Sequence, residues 1–253
     1  MQERRNLDRS MSILVVIATI VTIVFNSLAA AGYVNDVRPS DISDRYSTVV
    51  TPAGYAFSIW SLIYLGIIAF SIFQALPSQL ERFRKVRTLY IASCLLNCAW
   101  IFFWHNGQIA VCFVIILLLL ATLIFMLIRL GGCMTIAETW LVQAPFGIYA
   151  GWVTVATIAN LAIMLAFLDV RTSPATRNIF AVILILLAAL VAVAVRVKLQ
   201  NFFYPLAVAW GVTAIAVKQS GNTPIVVAAA LAAVICLVTA GSFVVNLRDS
   251  TGE

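Results

Sequence analysis

The sequence predicts an all-α polytopic membrane protein with about eight transmembrane helices. Three observations predict it. Hydrophobic residues make up 63% of the 253 positions and charged residues 10%, with mean hydropathy +1.04. A soluble domain is closer to half apolar and a quarter charged. The apolar residues also gather into eight runs, most near the roughly 20 residues that a helix needs to cross a bilayer. Finally, the 16 Lys/Arg outnumber the 10 Asp/Glu, and they sit in the short flanks between the runs. This composition excludes a water-soluble enzyme, a disordered chain, a nucleic-acid-binding domain and a disulfide scaffold.

The first run spans Met11 to Ala31, behind Arg4, Arg5 and Arg9. Ala29-Ala30-Ala31 is a faint signal-peptidase site. The run exceeds a signal-peptide core and the chain starts at Met1, so a retained helix is expected. The second run is Pro52 to Leu76, entered through Thr51-Pro52, with Pro at a favoured helix start and Pro77 at its end. The third is Thr88 to Trp104. A His105-Asn106-Gly107-Gln108 turn leads into the fourth, Ile109 to Ile128, which stops at Gly131-Gly132. The fifth, Ile136 to Phe167, is long for one span; a tilt, a protrusion or an interfacial first turn would accommodate it. The last three are Ile179 to Val195, Phe202 to Val217 and Pro224 to Val245.

Eight spans place both termini on one side. With them fall Arg4, Arg5, Arg9, Arg82, Arg84, Lys85, Arg87, Arg129, Arg196, Lys198 and Arg248. Arg38, Arg45, Arg171, Arg177 and Lys218 fall opposite. The positive-inside rule then puts both termini in the cytoplasm, and a bacterial cytoplasmic (inner) membrane is expected. The first loop, Gly32 to Thr51, carries Asp36, Asp41 and Asp44 against Arg38 and Arg45. It is longer than most helix connections and reads equally as a lid or as a solvated connector.

The centres of the spans lack Lys, Arg and Asp, and Glu138 is expected at a membrane edge. Intramembrane charge marks ion and proton pathways, so a proton-coupled pump or ion channel is disfavoured. No Walker loop, HExxH, G-x-S-x-G or CxxC pattern occurs. The single histidine, His105, makes Ser-His-Asp chemistry improbable and reads as an exposed turn residue. Cys94, Cys98, Cys112 and Cys236 lie in apolar runs, and Cys133 in a short loop; they read as small packed hydrophobes. No catalytic residue and no metal ligand is assigned.

Neutral polar groups and aromatics fill the spans instead. Asn26, Asn97, Gln143 and Asn160 need partners, because an unpaired polar group in hydrocarbon costs several kcal/mol. Interhelical glue and ligand contact are the two readings. Gly147 and Gly151 form a GxxxG step that suits close helix packing. Trp104 and Trp140 sit near span ends, where interfacial anchoring explains them. Trp60, Trp100 and Trp152 fall inside spans; with Tyr64 and Tyr149 they suit a flat pocket for a planar apolar ligand.

Three stretches carry a family resemblance: Pro52-Ala53-Gly54-Tyr55-Ala56-Phe57-Ser58-Ile59-Trp60-Ser61-Leu62-Ile63-Tyr64 on the second span, Leu96-Asn97-Cys98-Ala99-Trp100 on the third, and Trp152-Val153-Thr154-Val155-Ala156-Thr157-Ile158-Ala159-Asn160 on the fifth. In that order and on those spans they resemble the TspO/MBR family, the tryptophan-rich sensory proteins related to the mitochondrial translocator protein. Tyr55 stands where the family usually has Trp, and Ile148 where it has Pro, with Pro145 nearby. The resemblance covers about residues 11 to 168. It implies a five-helix bundle over residues 1–170, followed by three additional helices over 171–253. It also implies a pocket for a tetrapyrrole such as porphyrin or haem, with Tyr55, Trp60, Tyr64, Asn97, Trp100, Tyr149, Trp152 and Asn160 as its ligand-binding residues. No cofactor is obligatory on this reading, and a bound tetrapyrrole would be held by stacking and amide contacts without a histidine ligand. The implied role is sensory, regulatory or tetrapyrrole-handling, and not enzymatic. The alternatives are a transporter of a hydrophobic or amphipathic small molecule, or a pigment-holding subunit of a larger membrane complex. The expected partners are the lipid bilayer, the planar ligand, and a homodimer or larger complex.

Overall fold

A computed structural model of the chain describes residues 2–46, 48–131 and 135–249, the last seven by backbone alone. Gly132, Cys133 and the tail from Ser250 lie outside the described residues, as does the side chain of Arg248. The helices in order are α1 (Gln2–Ala30), α2 (Pro39–Arg45), α3 (Ile59–Phe73), α4 (Arg84–His105), α5 (Ile109–Leu130), α6 (Ile136–Phe167), α7 (Pro174–Leu199), α8 (Phe203–Lys218) and α9 (Thr223–Asp249). No strand occurs among the described residues. Seven helices are long and apolar enough to cross a membrane, counting α3 together with the tight 3₁₀ turn Gly54–Ser58 that precedes it. Apolar α8 makes the eighth; its 16 residues reach about 24 Å at 1.5 Å per residue. The expected all-α polytopic membrane fold is present.

Several element edges differ from the sequence reading. α1 starts at Gln2 rather than Met11, and α4 at Arg84 rather than Thr88; there Asp8 and Arg87 are buried within the helices, and Asp8 pairs with Arg84 and Arg87. The α-helix of the second span starts at Ile59 rather than Pro52. The backbone before it bonds elsewhere: Ala53 donates its N–H to Ala214 O (3.0 Å), and Ala56 O accepts from the Trp210 indole (3.1 Å). In α6, Thr139–Gln143 form a wide turn in which the Ala144 N–H reaches Thr139 O, five residues back. Pro145 follows at once; its ring crowds the preceding turn and cannot donate to it. A Cβ on Gly66 would lie 2.9 Å from Pro145, so α3 approaches α6 closely here.

The chain divides into two compact units: 1–45 with 59–146, and 46–58 with 147–253. In the first unit α1 packs on α3 and α4, and α4 packs on α5. The buried residues of α1 are Asp8, Ser12, Val15, Thr19, Thr22, Asn26 and Ala29. Their spacing alternates four and three, the 3.5-residue period of a helix–helix seam. All but Val15 and Ala29 are polar. The exposed residues of the same helix include Ile13, Leu14, Ile17, Ile20, Val21 and Val24. The helix is therefore polar inward and apolar outward, as a bilayer solvent requires.

Hydrogen bonds and ion pairs run the length of that seam. Asn26 Nδ2 donates to Asn97 Oδ1 at 2.7 Å and to Thr22 O at 2.9 Å. Thr19, Ser71 and Tyr90 share hydroxyl hydrogen bonds. Gln74 Nε2 donates to Ser12 O at 3.1 Å, and Gln74 Oε1 accepts from Arg87 Nε at 2.8 Å. Arg84 grips Asp8 through two nitrogens, and Arg87 lies 3.5 Å from the same carboxylate. For Asn26 and Asn97 the glue reading holds. A double-mutant cycle of Asn26→Leu and Asn97→Leu, read by thermal unfolding, is expected to give a coupling of about 0.6–1.7 kcal/mol. Additive single effects would show that the amides do not act on each other.

In the second unit α8 packs on α7 and α9, and α7 on α9. Gly147 lies against the Asn201 side chain, and a Cβ on Gly151 would meet Tyr204 O at 2.5 Å and Ala207 Cβ at 2.9 Å. The GxxxG step thus serves close packing. Asn201 Oδ1 accepts from the N–H groups of Phe203 and Tyr204, both at 3.0 Å, and so caps α8 while it fills the space over Gly147. The Tyr204 hydroxyl bonds Thr154 on α6.

Candidate ligand-binding site

The eight residues expected to bind ligand fall into two sets of four, one in each compact unit. In the first unit Trp60 and Tyr64, one turn apart on α3, stack with centroids 5.6 Å apart and planes at 25°. Asn97 is buried and bonded to Asn26. Trp100 is buried and stacks on Trp104 at 5.1 Å and 20°. Both stacks follow from i,i+4 spacing, which lays one side chain above the next on a helix face.

In the second unit Tyr55 is 45% exposed and meets Trp210 edge-on at 5.4 Å. Tyr149, Trp152 and Asn160 are buried on α6. Their spacings of three and eight residues place them along one side of the helix. Asn160 Nδ2 donates to Ala156 O at 2.9 Å. Trp152 is 2% exposed and meets Phe57 edge-on at 5.8 Å; its indole N–H has no hydrogen-bond partner. An unpaired buried donor costs about 1–3 kcal/mol, so this N–H is the one feature of α6 that asks for an acceptor. Phe57 belongs to the Tyr46–Ser58 segment. Its contact with Trp152 joins the second-span motif to the fifth-span motif inside one unit.

Two residues differ from their sequence reading. Trp104, expected at an interface, is buried, and its indole donates to Pro39 O at 3.1 Å beneath α2. Trp140 is 62% exposed, as interfacial anchoring predicts. His105, expected in an exposed turn, is 7% exposed because α4 runs on to include it. Its Nδ1 donates to Ile101 O at 2.8 Å, and its Nε2 is buried without a hydrogen-bond partner among the described residues. Asn35 of the first loop donates to His105 O at 3.0 Å. Residues Asn35 to Arg45 thus pack on the end of α4. Glu138 pairs with Arg82 at 2.8 Å and caps the start of α6 together with Thr135. Among the described residues no three His, Cys, Asp or Glu gather as a metal site.

A feature that local spacing did not signal lies in the second unit. A cavity of about 410 Å³ opens where the end of α6, the start of α7 and residues Thr48–Val50 meet. Gln219 closes one side and donates to Thr48 O at 2.9 Å. None of the eight expected residues lines it.

One family model matches residues 12–243, under the description TSPO-like protein. The chain belongs to this family. No curated protein and no solved structure matches it. The TSPO-like match agrees with the TspO/MBR resemblance of the three motifs. It also runs past residue 168, where that resemblance ends, through α7 and α8 and most of α9. With seven long apolar helices among the described residues, this TSPO-like chain is an integral, multi-pass membrane protein.

Proposed function

We propose that this TSPO-like protein binds a planar apolar ligand of the tetrapyrrole class, porphyrin or haem, in a sensory, regulatory or tetrapyrrole-handling role. The observation that carries the reading is the buried, unpartnered indole N–H of Trp152 beside Phe57. An aromatic wall offers a flat ligand stacking area, and one inward donor suits a ligand carboxylate or carbonyl. The ring that meets it, Phe57, is aromatic, and the reading is binding without catalysis. Orientation follows the basic residues, with both termini on the cytoplasmic side.

An absorption spectrum of the protein purified from its own membrane tests the ligand class; a Soret-type band is expected. Titration of protoporphyrin IX against Trp152→Leu tests the site. The variant removes the donor and part of the aromatic wall, and should bind about tenfold more weakly while eluting as wild type on gel filtration. Equal affinity in a folded variant would place the ligand elsewhere.

A further inference from the structure

We infer that the cavity at the junction of α6 and α7 is a second ligand site, for a single-chain amphiphile with a carboxylate head, a long-chain fatty acid. The inference does not rest on the tetrapyrrole reading.

The lining divides by chemistry. Val50, Ala162, Leu165, Phe180 and Leu184 supply apolar wall, and Arg177 stands among them as the cation. Arg177 lies in the first turn of α7, where no acidic residue accompanies it. A cation at that end is opposed by the helix dipole, so helix stability does not account for it. Among the described residues its guanidinium has no ion pair and no hydrogen bond. The carboxylate of Asp169, which precedes α7 in the chain, is engaged by Arg171 at 3.0 Å. A cavity whose lining joins an apolar wall and a few neutral polar groups to one uncompensated guanidinium matches an apolar tail ending in an anion. The planar fork of Arg pairs bidentately with a carboxylate.

Size selects the tail. A volume of 410 Å³ lies within the range of about 300–1,000 Å³ of small-molecule sites. At roughly 30 Å³ per water-sized group it holds about fourteen such groups, one acyl chain rather than two. The position is the end of a membrane span, where a tail lies in hydrocarbon while its head reaches the interface.

The test uses the full chain reconstituted in phosphatidylcholine vesicles and a myristic acid carrying a diazirine on its tail. After photolysis, mass spectrometry should place the label within residues 162–184. Excess myristate should compete, and 1-tetradecanol, with the same tail and no charge, should compete about tenfold less well. Arg177→Gln, at an exposed position, should fold normally and lower the labelling yield about tenfold. Ala166→Trp, which fills the slot, should abolish labelling. Label spread over the outward leucines of all helices, or a wild-type yield in both variants, would overturn the proposal. Competition by dimyristoylphosphatidylglycerol equal to that by myristate would overturn the single-chain reading. Protoporphyrin affinity should be unchanged in Arg177→Gln; its loss would mean that the arginine serves a porphyrin carboxylate instead.

Discussion

Replacing Gly151 by leucine is expected to abolish folded protein, and replacing it by alanine to cost about 1–3 kcal/mol, the range for overpacking a filled site. The reason is the object that the new Cβ would meet. At 2.5 Å stands the carbonyl oxygen of Tyr204, and at 2.9 Å the Cβ of Ala207. A flexible side-chain end could swing away, but a backbone carbonyl on a capped, packed helix cannot. The loss should appear despite the helix propensity of alanine, which by itself favours the change by about 1 kcal/mol. Gly241 on α9 gives the opposite case, since among the described residues no atom beyond its own helix backbone and chain neighbours lies within 4 Å of its ideal Cβ. There the change to alanine should be neutral or stabilising. Thermal unfolding of the purified variants decides the matter. Shifts of the same sign and size at both positions would show that propensity rather than the α6–α8 approach sets the effect.

The second large effect is expected at Arg87. Its side chain is 0% exposed; it donates to Gln74 Oε1 at 2.8 Å and to Gln74 O at 3.3 Å, and faces Asp8 at 3.5 Å. Arg87→Met keeps the aliphatic stem and removes every donor, which strands two oxygens of Gln74 and weakens the neutralisation of Asp8. Removing one partner of a buried ionic group costs about 3–5 kcal/mol. Replacing both charges together, as Asp8→Leu with Arg87→Met, should cost less than the sum of the singles, because the stranded charge is gone and Arg84 can turn to water. Strict additivity in unfolding free energy would show that the two residues do not share one network. A wild-type Arg87→Met would show that the buried guanidinium contributes nothing.

Hydropathy located every long helix, because the bilayer demands an apolar run wherever the chain crosses. It failed at the edges, since it reads a charge as an end. Asp8 and Arg87 show why that is unsafe: paired charges are carried inside, and α1 and α4 run on past them. The Pro52 start failed for a different reason. Ala53 and Ala56 spend their backbone groups on Ala214 and Trp210, residues about 150 positions away. The aromatic candidates were legible as residues but not in their partnerships. Trp104 looks like an anchor until Pro39 O is seen to accept from it. His105 looks exposed until α4 is seen to include it. The cavity was illegible altogether, because Thr48, Leu165 and Gln219 come from distant parts of the chain. The inward stripe of α1 was written plainly in its three–four spacing, but a search for apolar periodicity passes over polar letters.

That stripe bears on a question every membrane helix faces: where along its neighbours to stop. Lipid tails resemble leucine, so one greasy face slides over another with little preference. Along α1 the buried letters run acid, hydroxyl, methyl, hydroxyl, hydroxyl, amide, methyl. The side chains of Asp8, Thr19 and Asn26 meet different partners, Arg84 with Arg87, Ser71 with Tyr90, and Asn97, while Gln74 takes the Ser12 carbonyl between them. A slide of one turn, about 5.4 Å, would misspell every level at once. The helix thus carries its own address, legible only to α3 and α4, and only at one height in the bilayer.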